Sequence, residues 1–181
     1  MATRKILLAV DLQKDFIDGA LTVPGADAVI PVINRVKGAY DRVYFTLDSH
    51  PVNHCSFSGQ GGPWPVHCVH HTAGASLPDS VLEGLDESRM RFILKGQRVD
   101  REEYGAFVDV DPEHQDLFLP GDEVTICGIA SEYCVLETLK NLYALSVRVG
   151  FTVKLFLEGT ARFDNYDGLL AFAGENGIET V

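Results

Sequence analysis

The sequence predicts an α/β fold: a three-layer α/β/α arrangement in which helices cover both faces of a mostly parallel central sheet. Short apolar runs alternate with longer segments of helical periodicity, a pattern typical of parallel sheets. The first two runs each end directly at an aspartate. At 181 residues the chain has the size of one domain and is long enough to bury its own core. We expect a single domain of residues 1–181, because no repeat or linker divides it.

Five apolar runs have the length and the β-branched or aromatic content of buried strands. The first, Lys5–Val10, is almost entirely apolar and ends at Asp11. The second, residues 42–47, reads Arg-Val-Tyr-Phe-Thr-Leu and ends at Asp48. A sixth, shorter run lies at the end of the sequence. The other predicted strands are residues 91–94, 123–126, 152–157 and 178–181.

Helical periodicity marks the segments between the strands. In residues 26–40 apolar side chains recur at helical spacing, as at Val29 and Ile33. Pro31 is compatible with this helix if it lies in the first turn. Residues 49–76 are rich in Gly and Pro and have no period, which predicts a long loop of the kind that is usually functional or disordered. Further helices are expected at residues 80–85, after a turn at 127–134 through 145, and at 166–173, with a weaker segment at 112–119.

Charge and cysteine content exclude several classes of partner. The net charge of −11 repels phosphate backbones and anionic membranes, so neither a nucleic acid nor a membrane partner is expected. No apolar run approaches the length of a membrane span, and no cleavage pattern follows the first run. The four cysteines, at positions 55, 68, 127 and 134, form no CxxC pair, as in a chain with free thiols. We therefore expect a cytoplasmic protein.

Reactive side chains lie at the ends of four predicted strands. Asp11 follows the first strand, Asp48 the second and Lys95 the third, while Cys134 lies just beyond the fourth. Ligands of open α/β sheets bind outside the carboxyl ends of the strands. The sequence thus predicts one site, built from distant segments, at one edge of the sheet.

The long loop carries a candidate metal site. Neutral imidazole and carboxylate are ligands that borderline divalent metals accept, and Asp48 together with the histidines of the loop supplies both types within twenty residues. The same residues could instead cap a helix or lie on the surface, since His70 and His71 show that the loop tolerates histidines without regular spacing. Trp64 could anchor the loop in the core or form an apolar wall over a planar ligand. The candidate ligands are Asp48, His50, His54 and His67.

Cys134 is a candidate nucleophile because it opens a helix, where unpaired N–H groups favour an anion. Lys95 would stabilise a thiolate further, and Asp11 could exchange a proton with the sulfur and with a departing amine. The N–H groups of Ala130 and Cys134 could form an oxyanion hole. Each residue also has an ordinary interpretation: a buried small thiol, a turn-forming aspartate and a solvated lysine.

Three motifs resemble those of the isochorismatase-like cysteine hydrolases. They are Val-Asp-Leu-Gln-Lys-Asp-Phe at residues 10–16, Lys-Gly at 95–96 and Gly-Ile-Ala-Ser-Glu-Tyr-Cys-Val at 128–135. The resemblance extends from about Ile6 to the end of the chain. The middle loop is similar to that of the nicotinamidases, through Asp-Ser-His-Pro at 48–51, Asn-His-Cys-Ser-Phe at 53–57 and Trp-Pro-Val-His-Cys-Val at 64–69.

The resemblance implies the isochorismatase-like hydrolase fold and an amidohydrolase that converts nicotinamide to nicotinate and ammonia through a thioester. A divalent metal ion, zinc in the first place but also iron or manganese, would bind the pyridine nitrogen. A cis peptide is implied between Ile129 and Ala130. The implied triad is Asp11, Lys95 and Cys134. The implied metal ligands are Asp48, His50 and His67, with His54 in some relatives. The implied substrate pocket is Phe16, Leu21, Trp64, Tyr104 and Tyr133.

Some positions depart from the family pattern. The charged stretch before Tyr104 puts its place in the pocket in doubt, and Arg162-Phe163 stands where smaller residues are common. A family member acting on another small amide or an enol ether remains an alternative, as does a catalytically silent metal-binding module, because a fold alone does not establish function. A homo-oligomer is expected because relatives often assemble.

Overall fold

The computed structural model describes residues 3–108 and 117–181. Its six strands form one sheet in which every pairing is parallel, so the prediction of a mostly parallel sheet is confirmed. Each strand overlaps one of the six predicted segments. The strands are β1 Lys5–Val10, β2 Arg42–Asp48, β3 Met90–Lys95, β4 Glu123–Gly128, β5 Thr152–Thr160 and β6 Glu179–Thr180.

Five α-helices lie in the described ranges, two of them only four residues long. Of three short 3₁₀ segments in the same ranges, Lys37–Ala39 extends the second helix, Glu87–Arg89 directly precedes β3, and Ser58–Gln60 lies in the long loop. A single π-helical turn, Ser131–Val135, leads into the fourth helix. The helices are α1 Lys14–Ile17, α2 Ala26–Val36, α3 Asp79–Leu82, α4 Leu136–Val149 and α5 Asp167–Glu175.

The sheet is covered on both faces, which confirms the three-layer prediction. Because side chains alternate along a strand, Ile6 and Leu8 of β1 join the core beneath α4 and α5. Leu7 and Ala9 of the same strand join the second core, beneath α2. The uniformly apolar β1 run thus reflects a strand whose two faces are both buried.

The strand order β3-β2-β1-β4-β5-β6 places a reversal of winding between β1 and β4. Ligand sites of doubly wound sheets form at such a reversal, at the carboxyl ends of the strands. Gly128, the last residue of β4, has φ of +128°, and a Cβ there would lie 2.1 Å from the carbonyl oxygen of Val10. Only glycine lets the two strand ends approach this closely.

Several boundaries differ from those predicted. The helix predicted for residues 26–40 ends at Val36 and continues as a 3₁₀ turn; it begins beside left-handed Gly25, so that Pro31 falls in its second turn. β5 runs three residues further than predicted, past a register shift opposite β4. α1 was not predicted, because four residues are too few to show a helical pattern of apolar side chains. Residues 112–116 of the weak segment predicted at 112–119 lie outside the described ranges.

No helix of residues 3–108 and 117–181 has both the length and the apolar character needed to cross a membrane.

Candidate active site and metal centre

Asp11, Lys95 and Cys134 meet at the carboxyl edge of the sheet, as the strand ends predict. The Lys95 ammonium lies 2.8 Å from Asp11 Oδ2 and 3.5 Å from Cys134 Sγ. Thr46 donates a 2.7 Å hydrogen bond to the other Asp11 oxygen. Asp11 Oδ2 pairs with Lys95 by charge but receives no well-directed hydrogen bond. That oxygen therefore keeps a lone pair available for a proton.

Lys95 also contacts Asp48, which links the cluster of Asp11, Lys95 and Cys134 to the candidate metal ligands. The two residues are register partners at the ends of β2 and β3, and Lys95 Nζ lies 2.5 Å from Asp48 Oδ1. Burial by itself lowers the pKa of Lys95, but Asp11 and Asp48 outweigh it and raise that pKa well above its ordinary value. Burial acts to raise the pKa of Asp48, but Lys95 and His50 hold it well below the usual range. Lys95 is therefore a permanent cation at neutral pH.

Burial has the opposite consequence for the other two members. It raises the pKa of Asp11 despite the nearby Lys95. It also raises the pKa of Cys134 well above that of a free thiol, against the lowering effect of Lys95. The sequence predicts that Lys95 favours a thiolate; in the folded chain that effect is present but smaller than the cost of burying the charge. A thiol beside a carboxylate of raised basicity suits proton transfer at the moment of attack.

The turn that carries Cys134 follows β4 directly. The Ile129–Ala130 peptide is cis, as the resemblance implies. The N–H groups of Tyr133 and Val135 both donate to the carbonyl of Ala130. No acceptor within residues 3–108 and 117–181 binds the N–H of Ala130 itself. This N–H is available as a donor to an oxyanion.

Three of the four candidate metal ligands converge. One donor atom each from Asp48, His50 and His67 lies within 4.8 Å of the others, and all three residues are buried. His50 Nδ1 lies 2.9 Å from the carbonyl oxygen of Gly96, and His67 Nδ1 lies 2.8 Å from that of Pro65. Each ring donates its Nδ1 proton to a carbonyl and turns Nε2 toward the cluster, the arrangement of a metal-ligating histidine; His50 Nε2 lies 3.5 Å from Asp48 Oδ2.

The chemistry of this donor set fits a divalent ion. Burial lowers the pKa of His67, which keeps its ring in the neutral form that metals require. Gly96 has φ of +64°, and a Cβ on it would lie 2.5 Å from the His50 ring. The Lys-Gly motif thus places the lysine in one cluster and gives the histidine of the other cluster its space and its hydrogen-bond acceptor.

His54 lies beside this cluster but does not join it. Its Nδ1 lies 2.6 Å from Ser56 Oγ and its Nε2 3.1 Å from the carbonyl oxygen of Arg101. Both ring nitrogens therefore have protein partners. The ring stacks on that of His50 with 4.2 Å between centroids. In this arrangement His54 supports the position of His50.

The side chains of two residues of the first motif bind the backbone of Asp48 and of the long loop that follows it. Gln13 accepts a hydrogen bond from the N–H of Asp48 and donates to the carbonyls of Asp48 and Ala75. Asp15 accepts from the N–H of Cys68 at 2.7 Å. Sequence reasoning did not assign these roles, although both residues lie within the first motif.

The thiol and the metal ligands open into the same cavity of about 370 Å³, counting the part that reaches solvent. Its walls are largely aromatic, and Trp64 donates a 3.0 Å hydrogen bond to the Tyr104 hydroxyl. The doubtful Tyr104 position is thus part of the wall. All five residues expected to line the pocket do so, and the prediction omitted Val23, Glu102 and Phe163.

The fold is that of a three-layer α/β protein, and its candidate catalytic groups lie at the carboxyl edge of a parallel sheet. The chain belongs to the isochorismatase family: the family model of the isochorismatase domain matches residues 5–153.

Comparison with characterised relatives and solved structures narrows the likeness. The chain is 34% identical to a nicotinamidase of Saccharomyces cerevisiae, over 86% of this chain and 87% of the relative. It is similar to the crystal structure of a Pyrococcus horikoshii pyrazinamidase in complex with zinc, with a TM-score of 0.80, 34% identity and 98% of each chain covered. A structure of PnC1 from L. infantum in complex with nicotinate gives a TM-score of 0.79 at 32% identity, covering 99% of this chain and 92% of that one.

Proposed function

We propose that the protein is a metal-dependent nicotinamidase, an amidohydrolase that converts nicotinamide to nicotinate and ammonia. One observation carries the proposal: the Cys134 thiol and the ligands Asp48, His50 and His67 line a single aromatic cavity. A nicotinamide molecule can then present its ring nitrogen to one end of the cavity and its amide carbon to the other. The nicotinamidase relatives and the nicotinate-bound neighbour support this choice of substrate.

Asp48, His50 and His67 would hold the metal ion. When bound, the ion would act as a Lewis acid that binds the pyridine nitrogen and draws electron density from the ring. Zinc is the first proposal, supported by the zinc-bound neighbour and by the two imidazoles and one carboxylate. His54 would support His50 from the side, through the ring stacking between them.

Cys134 would form and break the covalent bond to the substrate. Its proton passes to Asp11 as the sulfur attacks the amide carbon, which gives a tetrahedral intermediate. The N–H groups of Ala130 and Cys134 are the proposed donors to its oxyanion. The C–N bond then breaks, Asp11 returns the proton to the departing nitrogen, and ammonia leaves behind a thioester.

Hydrolysis of the thioester reverses the roles. Asp11 takes a proton from a water molecule as its oxygen attacks the thioester carbon. The C–S bond then breaks and Asp11 passes this proton to the leaving sulfur, which regenerates the Cys134 thiol. The acid product loses its own proton to solvent and leaves as nicotinate. Lys95 keeps its charge throughout and stabilises the negative charge that develops on sulfur and on Asp11. Its ion pairs with Asp11 and Asp48 fix the geometry of both carboxylates.

The test is an ammonia-release assay on nicotinamide with purified protein, combined with metal analysis before and after treatment with a chelator. We expect about one equivalent of metal per chain, turnover that falls on chelation and recovers on re-addition, and no turnover by Cys134→Ala. Cys55→Ser serves as the matched control, since Cys55 is half-buried and lies outside the cavity. Retained turnover in Cys134→Ala would remove the nucleophile from the proposal.

The second candidate substrate is another small aromatic amide, favoured by the likeness to a pyrazinamidase. The aromatic walls admit a range of planar rings, whereas an amide without a ring nitrogen gains nothing from the metal. Relative kcat/KM over a panel of nicotinamide, pyrazinamide, benzamide and a carbamoyl compound decides between them. A benzamide preferred over both ring-nitrogen amides would contradict the proposed role of the metal.

We also propose a cytoplasmic location and a homo-oligomeric state. The four free cysteines and the net charge of −11 support the first. The second is supported by the oligomers that relatives often form, and light scattering of the purified protein tests it.

A further inference from the structure

The aromatic wall of the cavity includes a residue from a loop with no regular structure. β5 ends at Thr160 and α5 begins at Asp167. Residues 161–166 between them, here called the Phe163 loop, contribute Phe163 to the wall of the cavity. The Phe163 ring stacks on Trp64 with 5.9 Å between centroids and an interplanar angle of 20°. It also meets Tyr133 edge-on at 6.0 Å. The position of this loop therefore decides the width of the substrate slot.

Glu132 is the main anchor of the Phe163 loop. Its carboxylate accepts hydrogen bonds from three consecutive backbone N–H groups: Phe163 at 3.1 Å, Asp164 at 2.6 Å and Asn165 at 3.0 Å. Burial acts to raise the pKa of Glu132, but these N–H donors outweigh it and lower that pKa. The carboxylate is thus ionised at neutral pH, and bonds of this charge-assisted kind are stronger than neutral ones.

The neighbouring residue adds two further bonds to the same loop. The Ser131 N–H donates to the carbonyl of Ala161 at 2.9 Å, and its hydroxyl donates to that of Asn165 at 2.8 Å. Both anchoring residues lie in the turn that carries Cys134. The loop is therefore registered on the nucleophile turn, so that the aromatic wall and the sulfur keep a fixed relation.

We infer that Glu132 is a positioning residue that strengthens binding of the aromatic substrate by holding Phe163 against Trp64 as one wall of the substrate slot. Glu132 does not line the cavity itself, so it acts through Phe163. A planar heteroaromatic amide fills a slot of fixed width, and loosening this wall weakens its binding in the ground and transition states alike. The kinetic part of the inference rests on the proposed function; its structural part does not.

The structural part is tested without substrate. Trp64 is the only tryptophan of the chain, so intrinsic fluorescence reports on the ring that Phe163 covers. We expect Phe163→Ala to shift Trp64 emission to the red and to raise its quenching by acrylamide, and Glu132→Gln to do the same. Glu132→Gln replaces a carboxylate oxygen by an NH₂ group, which cannot accept the hydrogen bonds that the backbone N–H groups of the loop donate. Glu137→Gln, the same change at an exposed ion pair with Lys140, should leave emission unchanged.

The kinetic part uses a double-mutant cycle on nicotinamide hydrolysis. Glu132→Gln should raise KM about tenfold while kcat falls less than about threefold, the signature of lost uniform binding. If Glu132 acts through Phe163, adding Glu132→Gln to Phe163→Ala should change kcat/KM by less than about twofold, because the shared contact is already gone. Glu132→Asp, which keeps the charge on a shorter side chain, should give an intermediate KM.

Two results would overturn the inference. One is wild-type Trp64 emission and quenching in a folded Glu132→Gln protein; the other is a full, independent loss from Glu132→Gln in the Phe163→Ala background. Should Glu132→Gln not fold, Glu132→Asp takes its place, and wild-type fluorescence together with a wild-type KM in that variant would be equally decisive against the role. Absence of nicotinamidase activity in the wild-type protein would contradict the proposed function. The fluorescence comparison would then test the structural role of Glu132 by itself.

Discussion

The two ends of the central sheet carry ion pairs of very different kinds. At the carboxyl end Lys95 lies between Asp11 and Asp48, and the side chains of all three are at most 6% exposed. Near the amino end Lys154 lies between Glu123 and Glu179, where the lysine is 27% and Glu179 is 62% exposed. The chemical groups are the same, a lysine between two carboxylates, and only the burial differs.

This difference separates a functional cluster from an ordinary surface one. Removing charges from water costs several kcal/mol per ion, and the attraction between them repays that cost only when the geometry is favourable. Exposed pairs carry no such cost and contribute little. Three charges buried where a cavity opens are typical of a catalytic site, which supports the role proposed for this cluster, whereas the amino-end cluster carries no comparable desolvation cost.

The largest effect is expected from Lys95→Met. It leaves two buried carboxylates without a cation, and activity should fall by a factor of about 10³ or more. The unfolding free energy at pH 8 should fall by about 3 kcal/mol, the usual scale for breaking a buried pair. Without Lys95 the pKa values of Asp11 and Asp48 rise in the folded state, so the deficit should shrink as the pH falls and the carboxylates become protonated. Urea unfolding at pH 5 and pH 8 measures both; a deficit that grows at acid pH would contradict this account of the cluster.

The next largest effect is expected from His67→Ala. It removes one of three ligands whose donor atoms lie within 4.8 Å of each other, so metal content and nicotinamide affinity should fall together while the fold persists. Plasma emission analysis and KM are the measurements, with exposed His70→Ala as the matched control from the same loop. Full metal stoichiometry in His67→Ala would exclude this residue from the ligand set.

A smaller effect is expected from Gln13→Ala, which leaves every ligand in place. Gln13 holds the backbone of Asp48 from both sides and is fully buried. Losing such outer support typically costs 10–100-fold in metal affinity, roughly the range expected here. Competition with a chelating dye measures the affinity, and exposed Gln60→Ala should match the wild type. Unchanged affinity in Gln13→Ala would show that β2 alone positions Asp48.

The sequence predicts the ends of the strands well, and with them most of the site. Asp11, Asp48 and Lys95 each end or follow a short, mostly apolar run, and a parallel sheet brings the ends of such runs together. The same argument predicts nothing within the long loop. His54 and His67 look equivalent in the sequence. Both nitrogens of the His54 ring have hydrogen-bond partners, Ser56 and the carbonyl of Arg101, whereas in the described part of the chain His67 forms such a bond at Nδ1 alone, with the carbonyl of Pro65.

The residues of the cavity wall that the prediction omitted also lie in loops, where the ends of strands indicate nothing. Phe163 is visible in the sequence only as an unusual residue after β5, and it reaches the cavity because Glu132, thirty-one residues earlier, binds three successive amides of its loop. Burial also reverses an expectation: a lysine beside a cysteine predicts a thiolate, but full burial of Cys134 raises the pKa of its thiol. The periodicity of a sequence indicates neither the path of a loop nor the cost of burying a charged group.

The smallest effect is expected from Lys154→Met at the amino end. Lys154 pairs with Glu123 and Glu179 at 3.0 and 3.1 Å, but water and salt screen both pairs. The pKa of Lys154 is raised by its bonds to these carboxylates, so whatever the pairs contribute is present below the ordinary lysine pKa and is lost at higher pH. At pH 8 kcat/KM should equal that of the wild type and the thermal midpoint should change little, less still in 0.5 M salt. A loss of activity comparable to that of Lys95→Met would mean that burial is not what distinguishes the two clusters, because the two lysines would then matter equally despite their difference in exposure.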